Sequence, residues 1–259
     1  MVHFVGAGPG AEDLITLRGA RLLEEADQVI YAGSLVNPAL LKRCREDCRI
    51  LNSAEMTLEE VIAAVRGAEE QGKSTVRLHT GDPALYGAVR EQMERLSRLQ
   101  IPYDMTPGVS SFSAAAAALC AEYTLPGVSQ TVILSRKAGK TPVPETESIP
   151  SLAGHGSSMV LFLSAGLMTS LQEDLLKGSY TEDTPAALVY RASWPEERVL
   201  RCTVGTLARC AEENGIRSTA LVLVGDFLNA NETGSGRIYE RSKLYDPAFT
   251  TGFRKGEEA

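Results

Sequence analysis

The residues of this 259-residue chain that could do chemistry gather at three glycine-containing bends. They are Val5-Gly6-Ala7-Gly8-Pro9-Gly10, Arg77-Leu78-His79-Thr80-Gly81-Asp82-Pro83, and Pro107-Gly108-Val109-Ser110-Ser111. Each follows an apolar, β-rich run and gives way to a helical pattern, and α/β enzymes hold ligands at such carboxyl ends of strands. Glycine lets the backbone approach a ligand, and a strand end that must touch one leaves no room for a Cβ at Gly81. Asp82 adds a carboxylate, competing with a role as a turn residue that caps its own backbone. Three such ends in one half of the chain point to one shared cleft.

Elements that could position these bends alternate along the first half. Val2 to Val5 reads as a strand, and Leu14 to Ala26 as a helix with Leu14, Leu17, Ala20 and Leu23 at three-residue steps. Val29 to Tyr31 is a second strand. Thr57-Leu58-Glu59-Glu60 is a capping-box pattern that opens a helix through Ala68, closed by Gly72, and Ser74 to His79 is the next strand. Arg90 to Leu99 (helix), Tyr103 to Met105 (strand) and Ser113 to Cys120 (helix) continue a β-α-β order that implies a mainly parallel sheet. In the second half, Thr131 to Leu134, Met159 to Leu163, Ala187 to Tyr190, Val199 to Thr203 and Ala220 to Val224 read as strands, with helices near Leu167 to Leu176 and Leu207 to Glu213. Strands outnumber helices there, so a mixed sheet is expected. Arg136 to Pro150, polar and proline-containing, reads as a flexible loop.

Composition excludes several classes. A formal net charge of −7 argues against nucleic acid as the main partner. No apolar run approaches the roughly 20 residues needed to cross a bilayer, and the N-terminus has a strand pattern in place of a leader, so no membrane association and a cytoplasmic location are expected. Cys44, Cys48, Cys120, Cys202 and Cys210 form no C-x-x-C pair, so neither a disulfide framework nor a zinc site is indicated. Of His3, His79 and His155, only His79 is placed for function, against a histidine simply hydrogen-bonded in place.

Gly6-Ala7-Gly8-Pro9-Gly10-Ala11 satisfies G-x-G-x-x-A, which reads first as a dinucleotide turn. Yet Val29-Ile30-Tyr31 is followed by Ala32-Gly33-Ser34, without the acid that grips a ribose, and Pro9 removes an N–H from the turn. Nicotinamide binding is therefore disfavoured, and a purely structural glycine turn stays open.

The three bends, together with Ala32-Gly33-Ser34-Leu35-Val36 and Val128-Ser129-Gln130-Thr131-Val132-Ile133-Leu134, resemble the tetrapyrrole methyltransferase family from about Val2 to Phe227. Ser34-Leu35-Val36-Asn37, Val128-Ser129-Gln130 and Thr141-Pro142-Val143-Pro144-Glu145 favour the branch that methylates carbon 11 of a precorrin-4-type ring, with or without cobalt. The resemblance implies an α/β homodimer of two α/β/α domains, residues 1–118 with a mainly parallel sheet and 119–240 with a mixed one. An active-site cleft between them is expected, followed by a polar tail over 241–259. It implies S-adenosyl-L-methionine as cofactor, a tetrapyrrole substrate and no metal cofactor. Carried over position by position, cofactor contacts fall on Pro9, Thr80, Gly81, Asp82, Leu85, Ser110, Ser111, Leu163 and Ala192; the family often has Gly at position 80 and Met at 163. Asp82 is the one catalytic candidate. Because tetrapyrroles carry many carboxylates, Arg136, Lys137 and Lys140 are the candidate substrate-binding cations, against merely solvated charges.

Overall fold

The computed structural model describes residues 1–231 and 239–256, so the last three positions of the expected tail lie outside the described residues. The chain forms two compact units, one of Met1–Ala115 with Arg191–Glu197 and one of Ala116–Tyr190 with Arg198–Ala259.

The first unit is built on five strands, β1 (Val2–Gly6), β2 (Gln28–Tyr31), β3 (Arg49–Asn52), β4 (Thr75–His79) and β5 (Tyr103–Thr106), in the order β3-β2-β4-β1-β5. All pairings are parallel, so every strand ends on the same edge, as the alternating pattern predicted. Both faces of β4 are buried. Val76 and Leu78 join Val5, Leu23 and Val29 under α1 (Leu17–Glu25). On the other face, Phe4 and Ile30 pack with Val61, Val65 and Leu96 of α2 (Leu58–Glu69) and α3 (Arg90–Arg98). Each fully buried aliphatic side chain contributes about 1.5–3 kcal/mol.

The capping box holds: Thr57 accepts the Glu60 amide, and the Glu60 carboxylate accepts the Thr57 amide. The reading of the first helix changes in two respects, and one strand was not foreseen. The helix expected from Leu14 becomes a 3-10 turn, Glu12–Leu14, and then α1, because the Thr16 side chain caps the Gly19 amide. Its buried face is Gly19, Ala20 and Leu23, leaving Leu17 exposed. Strand β3 had no expectation, since an edge strand exposed at Arg49 and Ile50 shows little apolar alternation.

The second unit carries β6 (Val132–Arg136), β7 (Ser158–Phe162), β8 (Pro185–Tyr190), β9 (Arg198–Thr203) and β10 (Ala220–Val224) in the order β6-β7-β10-β8-β9. Only β6 and β7 pair in parallel, so the sheet is mixed, as expected. Helices α5 (Ile149–Ala153), α6 (Met168–Leu176) and α7 (Leu207–Glu213) cover a core that includes Met159, Leu161, Leu171, Leu188 and Val222. Between the units' sequences runs α4 (Ser111–Leu119). The stretch expected to be a flexible loop from Arg136 to Pro150 is partly ordered. It makes a 3-10 turn at Glu145–Glu147 and enters α5, where Ile149 is buried and Pro150 sits in the first turn, the one helical place proline tolerates.

Among the described residues no helix is long and apolar enough to cross a membrane, and no three His, Cys, Asp or Glu side chains gather as a metal site would need.

Candidate functional site in the first unit

The three bends meet at the carboxyl edge of the parallel sheet. Beyond β1 and β4 the ladder continues: Ala7 donates to the His79 carbonyl at 2.7 Å, Gly8 donates to the Gly81 carbonyl at 3.2 Å, and Gly81 donates to the Gly8 carbonyl at 2.8 Å. Asp82 then ties in the third bend. Its Oδ1 accepts the Ala84 amide at 2.7 Å and its Oδ2 accepts the Gly108 amide at 2.9 Å. The first bond is the self-capping turn; the second links bends 26 residues apart. Both carboxylate oxygens thus shape the loops.

The glycines divide by cause. A Cβ on Gly108 would stand 2.1 Å from the Gly81 carbonyl oxygen and 2.8 Å from the Gly6 Cα. One on Gly6 would stand 2.5 Å from the Gly108 Cα. Backbone meets backbone there, so no side chain fits. Gly81 is different: its Cβ would find only ordinary contacts at 3.6 Å, but its φ of +58° is the left-handed region that glycine adopts without strain. Among the protein's own atoms the crowding lies at Gly6 and Gly108.

Loop 82–89 is held from below. Arg77 is buried, donating from Nη1 to the Ile30 carbonyl at 2.7 Å and from Nε to Gln92 Oε1 at 2.8 Å, and Gln92 donates in turn to the Ala88 carbonyl at 3.1 Å. Burial pushes the guanidinium down to about 10. His79 lies beside it, stacked on Phe4 with ring centroids 6.1 Å apart. Its Nε2 has no partner among the described residues, and burial, reinforced by Arg77, pushes the imidazole down to about 3. His79 is a neutral core residue, neither exposed for proton transfer nor hydrogen-bonded through Nε2.

Of the expected cofactor contacts, the first unit contains Pro9, Thr80, Gly81, Asp82, Leu85, Ser110, Ser111 and Ala192. Thr80, Asp82, Leu85 and Ser111 are half-buried, Pro9, Gly81, Ser110 and Ala192 buried. Gly81 neighbours the backbone of Ser110 and Ser111, and α4 starts at Ser111, so the helix begins at this edge. Leu163 belongs to the second unit, exposed, with a φ of +52°.

The candidate cations are all in the second unit. Arg136 folds onto its own loop, donating to the Thr141 carbonyl at 3.2 Å and the Pro142 carbonyl at 2.7 Å. Lys137 forms an ion pair with Asp174, which Lys177 also joins at 2.8 Å. Burial acts to raise the Asp174 carboxyl, but its bonds to the two lysines hold it below the usual range. Lys137 is therefore an engaged charge, and Lys140 an exposed one.

Sequence reasoning did not single out Trp194 as part of this edge. Its indole Nε1 donates to the Pro9 carbonyl at 2.9 Å, and Ser193 Oγ accepts the Ala11 amide at 3.0 Å.

The profile of the tetrapyrrole (corrin/porphyrin) methylases matches residues 1–208. The chain is 47% identical over 257 residues to the cobalt-precorrin-4 C(11)-methyltransferase of Methanocaldococcus jannaschii, covering 99% of this chain and 97% of the relative. It is similar to the X-ray structure of a cobalt precorrin-4 methyltransferase, with TM-score 0.86, 44% identity, and 88% and 95% of the two chains covered. A uroporphyrin-III C-methyl transferase from Thermus thermophilus, solved with S-adenyl homocysteine, aligns with TM-score 0.75 at 26% identity over 88% of this chain and 99% of that one.

Proposed function

The chain belongs to the tetrapyrrole (corrin/porphyrin) methylases, and from that membership we propose that it transfers a methyl group from S-adenosyl-L-methionine to carbon 11 of a precorrin-4-type ring. The observation that carries the reading is the glycine-lined edge of the first unit, where three strand ends present backbone and one carboxylate and no side chain could be added at Gly6 or Gly108. It is supported by 47% identity over nearly the whole length of a relative named for that reaction.

The residues fit the donor. Gly6, Gly81 and Gly108 let the backbones of the three bends close on one another, with Pro9, Thr80, Leu85 and Ala192 beside them as the proposed contacts. The N-terminal end of α4, with the Ser110 and Ser111 hydroxyls, suits the carboxylate of the donor's amino-acid end. S-adenosylmethionine supplies a methyl group already activated on a sulfonium, so the protein needs positioning and electrostatics more than a nucleophile. Asp82 contributes by fixing the two loops through its amide bonds and by setting negative charge near that cation. Arg136 and Lys140 are the proposed partners of substrate carboxylates. Lys137, already paired with Asp174, acts through the loop's shape.

The test is turnover. The purified chain is offered S-adenosylmethionine with precorrin-4, cobalt-precorrin-4 or uroporphyrinogen III, and products are separated by chromatography. Methylation of a precorrin-4-type ring with uroporphyrinogen III untouched is expected. Turnover of uroporphyrinogen III alone would move the chain to another branch of the family.

A further inference from the structure

Over Arg191–Glu197 the chain joins the first unit as a short, tightly wound segment. Arg191 and Ser193 both sit in the left-handed region, at φ +48° and +67°. Non-glycine residues there are strained by on the order of 1 kcal/mol or more and persist only where neighbours over-determine them. The segment supplies those neighbours itself. Trp194 donates its amide to the Arg191 carbonyl at 2.9 Å, Glu197 Oε2 accepts the Ser193 amide at 2.6 Å, Glu196 pairs with Arg191 at 3.3 Å, and the Arg191 guanidinium lies 5.4 Å from the centre of the indole ring.

This pre-formed turn meets the first glycine bend at consecutive residues. The Pro9 carbonyl accepts from the Trp194 indole, the Ala11 amide donates to Ser193 Oγ, and the Gly10 carbonyl between them accepts Asn37 Nδ2 at 2.8 Å. Each of these three bend residues is thus held through a polar backbone group by a side chain remote in sequence. Gly10 adds a steric lock: a Cβ there would stand 2.1 Å from Cδ1 and 2.3 Å from Nε1 of the indole. The glycine at position 10 is there because a rigid, hydrogen-bonded ring occupies the space.

We infer that Arg191–Glu197 is a strap that sets the shape of the Pro9–Ala11 bend, with Trp194 as a positioning residue for the methyl donor. The strap is defined by contacts within the protein; that the bend serves S-adenosylmethionine rests on the function proposed above. Holding the bend in one shape before binding reduces the ordering cost of binding.

The experiment uses the full chain and S-adenosylhomocysteine as probe. In Trp194→Phe, which keeps an aromatic ring but loses the donor, affinity should fall about threefold to tenfold, the span of one neutral hydrogen bond. The KM for the tetrapyrrole and kcat at saturating donor should stay as in the parent, which general loosening would not allow. Gly10→Ala should lose about 30-fold, yet add less than about twofold when introduced into Trp194→Ala, because the ring that forbids the Cβ is gone. Equal losses in the two backgrounds would overturn the steric lock, and parental affinity in Trp194→Phe would overturn the positioning role. Hydrogen exchange of the Ala11 amide, read without ligand, should quicken about tenfold in Ser193→Ala; unchanged exchange there would overturn the strap. If the parent chain binds no S-adenosylhomocysteine, the donor reading fails while faster exchange in Ser193→Ala still supports the strap.

Discussion

Gly108→Ala puts one methyl group where the three bends converge. The added Cβ would lie 2.1 Å from the Gly81 oxygen and 3.0 Å from the Gly6 carbonyl carbon, all of it backbone that no rotamer change can clear. The nearest contact is roughly 1.5 Å inside ordinary van der Waals separation. Relief therefore means moving the Pro107–Val109 turn off β1 and β4. Overpacking of this kind costs about 1–3 kcal/mol, and the same movement stretches the 2.9 Å bond from the Gly108 amide to Asp82, a charged hydrogen bond worth about 1.5–3 kcal/mol. A combined loss of about 3–5 kcal/mol corresponds to an apparent melting temperature lower by roughly 10 °C for a chain of this size. Differential scanning calorimetry and titration with S-adenosylhomocysteine read the two effects, and affinity should fall by at least about 100-fold. Gly67→Ala is the control: it lies inside α2 with nothing within 4 Å of the new Cβ, and should stabilise by about 0.5–1 kcal/mol. A Gly108→Ala protein that melts and binds like the parent would refute the reasoning.

Asp82→Asn should weaken S-adenosylhomocysteine binding about tenfold, because one carboxylate oxygen becomes an NH2 facing a backbone amide; unchanged affinity in calorimetry would remove Asp82 from the site. His79, whose folded pKa is depressed to about 3, favours the fold in its neutral form, so its stabilisation is complete above the ordinary imidazole range and is lost as pH falls from about 6.5 towards 3. Urea titrations should show a contribution from His79 of up to about 1.4 kcal/mol per pH unit in that window, absent in His79→Phe; identical pH profiles would contradict it. Arg136→Ala should raise the KM for the tetrapyrrole about tenfold to 100-fold with little change in donor affinity. Lys137→Ala should instead lower the melting temperature by releasing the buried side of Asp174, and a stable Lys137→Ala protein with a raised substrate KM would reverse that assignment.

Much of the fold was legible because its signals are local. The Thr57 to Glu60 capping box and the apolar runs at β4 and β10 state their own conformation. Where signals were weak, elements went unread: β3 is a four-residue exposed edge, and α5 hides behind Pro150, which reads as a breaker unless its place in a first turn is seen. The site was legible as a set of loops and illegible as a set of contacts. Gly6 and Gly108 read as places where backbone approaches a ligand, and nothing in the sequence signals that each is also forced by the other's backbone across about a hundred residues. Gly10 fell on a variable position of the nucleotide pattern and drew no reading of its own, yet its cause is the indole of Trp194, far along the chain. Lys137 read as a candidate cation for the substrate, and its ion pair with Asp174 stayed hidden because nothing in sequence ties the two together.

The central claim is that the glycine-lined edge of the first unit serves methyl transfer to carbon 11. Incubation with S-adenosylmethionine carrying a carbon-13 methyl group and a precorrin-4-type ring, followed by NMR of the product, tests it most directly. One labelled methyl at carbon 11 is predicted for the parent chain, and its loss in Gly108→Ala. Label at any other ring carbon, or transfer by Gly108→Ala at the parental rate, would contradict the account.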